Sequence, residues 1–397
     1  MHMLKTLLFL LPATRATCAG YVREVPPSTD LSISHTQLPT APFVASLTNK
    51  VRRPAAKTRA LRELRGLPHS TRTTAGVSGT DNDEEYLAEK GFQCFTLDAA
   101  PVSEADCLFG SPGFDPSTST TFVPLSDKNF NISYESGEFV TGTVGFDTIS
   151  VGGLRVAHQE FGLVNKAAWT GDGVNTGILG LAYPELTSVY NGTNPGADGA
   201  NNRDPYSSFF FSAVKEKVVM EPYYSVALNR GSFANQVNST YDPHLGYIAF
   251  GGIAPVSTVG PSVTVPVQRI PSSSGGSEFL FYAVDVDAWV FPGLNSRHTA
   301  GAVILDTGTT LNYLPTEVAA AFNSRFEPPA TFDAEEDAWF VDCNATAPLF
   351  SVVIGGVGFV IDPKDQISPY MDVGGNISCA SGTQDGGSPG NGSIFVL

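Results

Sequence analysis

The chain has 397 residues, of which 42 % are hydrophobic, and a formal net charge of −16 at pH 7. That length and apolar content suffice for two or three domains with a real core, and the acidity argues against an acidic partner such as nucleic acid. Its 40 Gly and 28 Pro are spread along the sequence, which points to many tight turns and excludes one large disordered block.

Taken from the N-terminus, "MHMLKTLLFLLPATRATCAG" sets a Lys, a Leu/Phe run and a small-residue stretch in order. This is the pattern of a secretory signal peptide over residues 1–20, with an apolar run too short to span a bilayer. Residues 21–80 include the basic run "NKVRRPAAKTRALRELRG". Residues 1–75 carry 11 Lys+Arg against 3 Asp+Glu, and the remainder carries 12 against 36. A solvated basic tail or a nucleic-acid contact would fit such a segment. A pro-segment held by charge on the acidic body fits better, because protonating carboxylates at low pH would release it.

Five cysteines stand at 18, 94, 107, 343 and 379. If Cys18 leaves with the signal, four remain. Three pairings are then allowed, of which the local pairs Cys94–Cys107 and Cys343–Cys379 are the simplest. No spacing reads as a metal site, and none of the six His is clustered. Six Asn-x-Ser/Thr sequons, at Asn131, Asn191, Asn238, Asn344, Asn376 and Asn391, fit a glycosylated extracellular route.

Further along, apolar stretches such as "FVTGTVGFDTISVGGLRV" and "SVVIGGVGFVI" alternate between Gly and Asp turns, which predicts strands and hairpins. One or two short helices are expected, for example at "TEVAAAFNSRF". The Phe cluster at 209–211 and Trp169 read as core. In "GAVILDTGTTLNYLP" (301–315) a buried-strand pattern delivers Asp306, Gly308 permits a tight turn, and an apolar run resumes. Such a turn holds a carboxylate at the end of a rigid strand with the Thr309 hydroxyl near it, an environment that favours its charged form.

These stretches together resemble the pepsin-like aspartic proteases of the secreted fungal type. "ILDTGTTLNYLP" is similar to the second active-site turn, comprising Asp306, Thr307, Gly308 and Thr309. "NISYESGEFVTGTVGFDTISVGG" resembles the flap hairpin, with Tyr134, Ser136 and Gly137 at its tip. "GVNTGILGLAYPEL" looks like the loop supporting the first aspartate, and "GYIAFGGI" like the strand leading into the C-terminal lobe. The resemblance runs over residues 86–390 and implies an all-β, bilobal fold. An N-terminal lobe would occupy residues 81–245 and a C-terminal lobe 246–397, with one disulfide in each (Cys94–Cys107, Cys343–Cys379). It also implies a secreted monomeric endopeptidase that cuts protein or peptide substrates at acid pH, without metal, cofactor, nucleic acid or membrane insertion. Two aspartates would share a water and a proton, a dyad that is a standard worked case of coupled carboxylates.

The sequence departs from that pattern in two places. "DNDEEYLAE" (81–89) looks like the opening strand and "KGFQC" (90–94) like the segment after the first active-site turn, but no Asp-Thr-Gly lies between them. Asp98 lacks the Gly and lies beyond the expected place. After Cys379 the run "SGTQDGGSPGNGSIFVL" replaces the usual closing strands, so an incomplete C-terminal lobe with uncovered apolar edges is expected. A catalytically inactive peptide-binding protein, or an incomplete gene product, therefore stands as the alternative to a working endopeptidase.

Overall fold

Two Gly-Gly pairs set the hairpins that dominate the structure. Gly152 and Gly153 (φ 56° and 87°) join Phe139–Val151 to Leu154–Ala168, and Gly355 and Gly356 (φ 57° and 78°) join Phe350–Ile354 to Val357–Ile361. Positive φ at both central residues matches the right-handed twist of the flanking strands, and Gly adopts it without steric cost. Both hairpins were expected from the sequence. Along Phe139–Val151 burial alternates, falling on Val140 and Val144 and then, past a register shift between Asp147 and Ile149, on Ile149 and Val151, so the irregularity changes which parity faces inward.

The computed structural model describes residues 5–10, 15–19, 39–48, 87–88, 114–133, 139–168, 178–229, 245–257, 260–271, 276–293, 302–307, 309, 311–334, 336–371, 377–388 and 395–397. Among these the fold is mainly β. The helices Phe209–Lys215 and Thr316–Asn323 are short; the second is the one anticipated at "TEVAAAFNSRF".

A four-stranded antiparallel sheet runs in the order Leu154–Ala168, Phe139–Val151, Val123–Ser133, Val189–Asn191. A five-stranded sheet runs Ala283–Asp285, Ala302–Ile304, Phe395–Val396, Asn312–Leu314, Thr383–Asp385. Smaller sheets complete the second half of the chain, where Cys343 and Cys379 form a disulfide. A seven-stranded sheet collects strands from both halves: Tyr223–Leu228 pairs with Gly246–Phe250, which pairs in turn with Phe43–Thr48. The boundary expected between residues 245 and 246 thus falls at the edge of a strand inside this shared sheet. Lys5–Leu10 and Arg15–Ala19, within the proposed leader, lie between Tyr223–Leu228 and Ser262–Val265 in the same sheet.

Phe209 and Phe210 are buried, as expected for core, and stack around Phe250 and Tyr224. In the second half Trp289, Phe322 and Phe350 are fully buried and in ring contact. Burying an aromatic side chain of this size contributes on the order of 2–3 kcal/mol each, so these clusters hold the sheets together.

One expectation is corrected. The apolar edge predicted after Cys379 does not arise beside the Asp306 strand. Phe395–Val396 inserts there, parallel to Ala302–Ile304 and antiparallel to Asn312–Leu314, with Phe395 buried. Thr383–Asp385 covers the far side of Asn312–Leu314. The run that reads as Gly-rich loop contributes two strands, and Phe395 joins the core cluster that holds Val303 and Leu314.

Candidate active site

Asp306 leaves the strand Ala302–Ile304, whose Val303, Ile304 and the following Leu305 are buried. Three backbone hydrogen bonds fix the exit from that strand. Leu305 N–H donates to the Tyr282 carbonyl at 2.9 Å, Leu397 N–H to the Ile304 carbonyl at 2.8 Å, and Asp306 N–H to the Leu397 carbonyl at 3.0 Å. The carboxylate itself is exposed, and the Thr309 hydroxyl donates to its Oδ2 at 2.7 Å. That is the hydrogen bond foreseen from the motif. Thr307 is exposed and Thr309 half-buried; Gly308 lies outside the described residues.

Buried Leu311 and Leu314 anchor the chain beyond the turn, and Asn312 N–H donates to the Gly382 carbonyl at 2.9 Å. Asp385 then ties the end of this strand to the next helix, accepting from the Thr316 hydroxyl and Gly387 N–H, both at 2.8 Å. A rigid strand, a carboxylate at its end and a packed return strand suit a group that must hold its position while a proton is exchanged.

The proposed flap is a hairpin up to its tip: Val123–Ser133 and Phe139–Val151 pair antiparallel, with Ser133 opposite Phe139. Tyr134, Ser136 and Gly137, which follow Ser133 in the chain, lie outside the described residues, as do Cys94, Cys107 and Asp98. The loop around Ile178–Tyr183 packs Leu179 and Leu181 on the core, and the Ser208 hydroxyl holds it by donating to the Ala182 carbonyl at 2.8 Å. A concavity of about 750 Å³ lies against the flap strands, lined by Phe122, Leu125, Phe139, Val144 and Leu163 with Lys128 and Lys166 at hand. Neither Asp306 nor its turn is among the residues lining it.

Sequence reasoning missed two features of the site. The first is the support from Leu397, which a Gly-rich tail gave no reason to expect. The second is a group of buried tyrosines beside the turn. Tyr183, Tyr224 and Tyr282 all lie within the core, with ring centroids 5.0 Å apart for Tyr183–Tyr282 and 5.6 Å for Tyr224–Tyr282. Burial pushes the Tyr183 phenol up to about 12 and raises Tyr282 further still. Burial does the same to Tyr224, with the neighbouring phenols and the negative charge of Asp306 adding to it. All three therefore stay protonated at any working pH.

The profile of the family described as "Eukaryotic aspartyl protease" matches residues 98–396. A probable aspartic-type endopeptidase of Aspergillus fumigatus is 36 % identical over 327 residues, covering 81 % of this chain and 70 % of that protein. Endothiapepsin of Cryphonectria parasitica is 28 % identical over 291 residues, covering 71 % of this chain and 59 % of its own length. Among solved structures, an aspartic proteinase from Irpex lacteus superposes with a TM-score of 0.54 at 18 % identity, over 72 % of this chain and 79 % of that one. That structural likeness fits the mainly β architecture described above. With an Asp-Thr-Gly turn at the end of a buried strand and a family match over three quarters of its length, the chain belongs to the eukaryotic aspartyl protease family and is by that membership an aspartic endopeptidase.

Proposed function

We propose that Asp306 is the catalytic aspartate of a secreted endopeptidase that hydrolyses peptide bonds at acid pH through an activated water. The observation that carries this reading is the turn itself: an exposed carboxylate at the end of a buried strand, its backbone fixed by Leu397 and its Oδ2 bonded to Thr309. In that role the ionised carboxylate takes a proton from water as the oxygen attacks the scissile carbonyl, and a protonated partner supports the carbonyl oxygen and then the leaving amine. Thr307, Gly308 and Thr309 shape the turn, and Tyr134, Ser136 and Gly137 close over the substrate from the flap.

Residues 1–20 act as leader and 21–80 as a pro-segment. The pairing of Phe43–Thr48 with Gly246–Phe250, just ahead of the basic run, supports a segment docked on the acidic body. The product is an extracellular, glycosylated monomer with protein or peptide substrates, a second disulfide between Cys94 and Cys107, and no affinity for nucleic acid.

The sequence holds a single Asp-Thr-Gly, and one carboxylate cannot serve as acid and base at once. The turnover expected of the 397-residue chain is therefore weak. Insertion of an Asp-Thr-Gly-Ser strand between Glu89 and Lys90 should raise it. The test is cleavage of an unfolded protein substrate at acid pH by the secreted chain, the chain with that insertion, and Asp306→Asn of each. Loss of cleavage in both Asp306→Asn forms is expected; cleavage that survives the substitution removes Asp306 from the role. Sequencing the transcript across Glu89–Lys90 shows which form the cell makes.

A further inference from the structure

Three asparagine side chains converge on the carboxylate of Asp198. Asn129 and Asn131 stand two positions apart on Val123–Ser133 and so share a face of that strand. Asn129 Nδ2 donates to Asp198 Oδ1 at 3.1 Å and to the Gly192 carbonyl at 2.9 Å. Asn131 Nδ2 donates to Asp198 Oδ2 at 2.9 Å and to the Pro195 carbonyl at 3.1 Å. Asn202 Nδ2 joins from the loop itself, donating to Asp198 Oδ1 at 3.3 Å and to the Asn191 carbonyl at 2.9 Å. An amide nitrogen has two protons to give, so those of Asn131 are both spent, one on each partner. Its strand is also paired on both sides, with Phe139–Val151 and with Val189–Asn191. Asn131 is nonetheless the first residue of an Asn-x-Ser/Thr sequon.

Two further sequons on described residues stand in different surroundings. Asn191 ends the edge strand Val189–Asn191 and is exposed. Its N–H donates to the Asn202 carbonyl at 2.7 Å, so the residue is held through its backbone. A Cβ placed on Gly192, the middle residue of this sequon, would meet no atom within 4 Å beyond its chain neighbours. Asn344 is exposed in a turn where Ala345 N–H donates to the Asp342 carbonyl at 2.8 Å, next to the Cys343–Cys379 disulfide.

We propose that Asn191 and Asn344 carry N-linked glycans in the folded protein and that Asn131, whose amide holds Asp198 and Pro195, carries none. This rests on the reading of the chain as secreted. Attachment forms a bond from Nδ2 to the C1 of a sugar as the C1–O bond to a lipid-linked pyrophosphate breaks, and one Nδ2 proton leaves. At Asn131 that proton is one of the two in use, and the sugar would stand where Asp198 or Pro195 now does. A chain glycosylated there before folding cannot close the 192–198 loop onto its strand.

The experiment expresses the full chain in a secreting fungal host and treats the protein from the medium with a peptide-N-glycosidase in water enriched in heavy oxygen. Each former attachment site then appears in peptide mass spectra as a heavy-oxygen Asp. Label is expected at positions 191 and 344 and not at 131. Label at 131, or its absence from 191 or 344, overturns the assignment while the secreted reading stands. Absence of the chain from the medium removes the secreted reading, and the attachment sites with it. Thr193→Ala and Thr346→Ala should each speed gel migration by one glycan step. Ser133→Ala, which removes the third sequon but keeps the amide, should leave migration unchanged. Asn131→Asp sets a second carboxylate against Asp198 and should cut the secreted yield several-fold; a yield equal to that of Ser133→Ala would show that the amide is not in use.

Discussion

Asp306 illustrates how little of the placement of a candidate catalytic residue belongs to its own side chain. Leu397, Leu305 and Thr309 fix where it sits; Leu305 and Thr309 are neighbours in the chain, whereas Leu397 comes from 91 positions away. Gln384 plays a comparable structural part nearby. Fully surrounded, it accepts from Trp339 N–H at 2.7 Å and donates to the Trp339 carbonyl at 3.0 Å and the Ser381 carbonyl at 2.8 Å. It thereby ties the sheet containing Ala338–Val341 to the sheet of Asp306. Gln384→Ala would strand the Trp339 backbone groups at the cost of an unpaired buried polar group each, about 1–3 kcal/mol apiece. A loss of roughly 2–4 kcal/mol in urea unfolding is expected, against near-neutrality for a surface Gln. Nothing in "SGTQDGG" signals this, since Gln in a Gly-rich run reads as loop until Trp339 is brought beside it.

At the scale of elements, the hairpins were legible and the sheet order was not. Val151-Gly-Gly-Leu154 and Ile354-Gly-Gly-Val357 announce their turns because positive φ is a local demand that only a few residues meet. The strand Phe395–Val396 announces nothing: two apolar residues have no period to read. Its place between Ala302–Ile304 and Asn312–Leu314 is set by non-local pairing. Phe395→Ala should therefore behave as a core truncation, destabilising by about 3–5 kcal/mol, with the effect concentrated in the Asp306 sheet. Hydrogen exchange of the Leu305, Asp306 and Leu397 amides would report it. A change confined to the C-terminal residues, with Leu305 still protected, would show that the strand merely decorates the sheet.

For the whole molecule the relevant variable is pH. Lys128 joins the flap sheet to the loop before the first helix, with Nζ 3.3 Å from Glu160 and 2.8 Å from Asp204. An ion pair alone would push the glutamate down and the lysine up. Lys128 does go up, its partners outweighing the effect of burial, but Glu160 also goes up, because burial outweighs the pull of Lys128. The two directions disagree as a simple pair, and burial is the better guide for Glu160, whose side chain is only 11 % exposed.

The sign of the effect follows from that direction. A carboxyl group whose folded value lies above its unfolded 4.5 costs nothing while both states are protonated, and it weakens the fold as pH rises through the window above 4.5. The contribution of Lys128 is complete below 10.5, so it does not change across this range. Glu160→Gln should thus gain on the parent as pH rises from acid to neutral, measured as the difference in Tm. A gain that grows toward acid pH would show that Lys128 governs Glu160 after all. A carboxyl group placed this way suits the fold to acid, in keeping with the body's excess of carboxylates.

The sequence by itself determined the β class, the two Gly-Gly hairpins, the second helix and the candidate aspartate at 306, and it made Cys343–Cys379 the simplest of the pairings that the structure then selected. Each depends on residues close in the chain, on a spacing with few solutions, or on a motif read with its resemblance. Only the tertiary structure decided that Leu397 would hold Asp306, that the Gly-rich tail would supply two strands, and that Tyr183, Tyr224 and Tyr282 would meet beside the turn. These contacts join residues 58 to 99 positions apart, and at such separations local periodicity carries no information about which partner will be nearest. What selects them is burial: apolar rings and short strands find the surface that hides them, and their polar groups must then bond to whatever that surface offers.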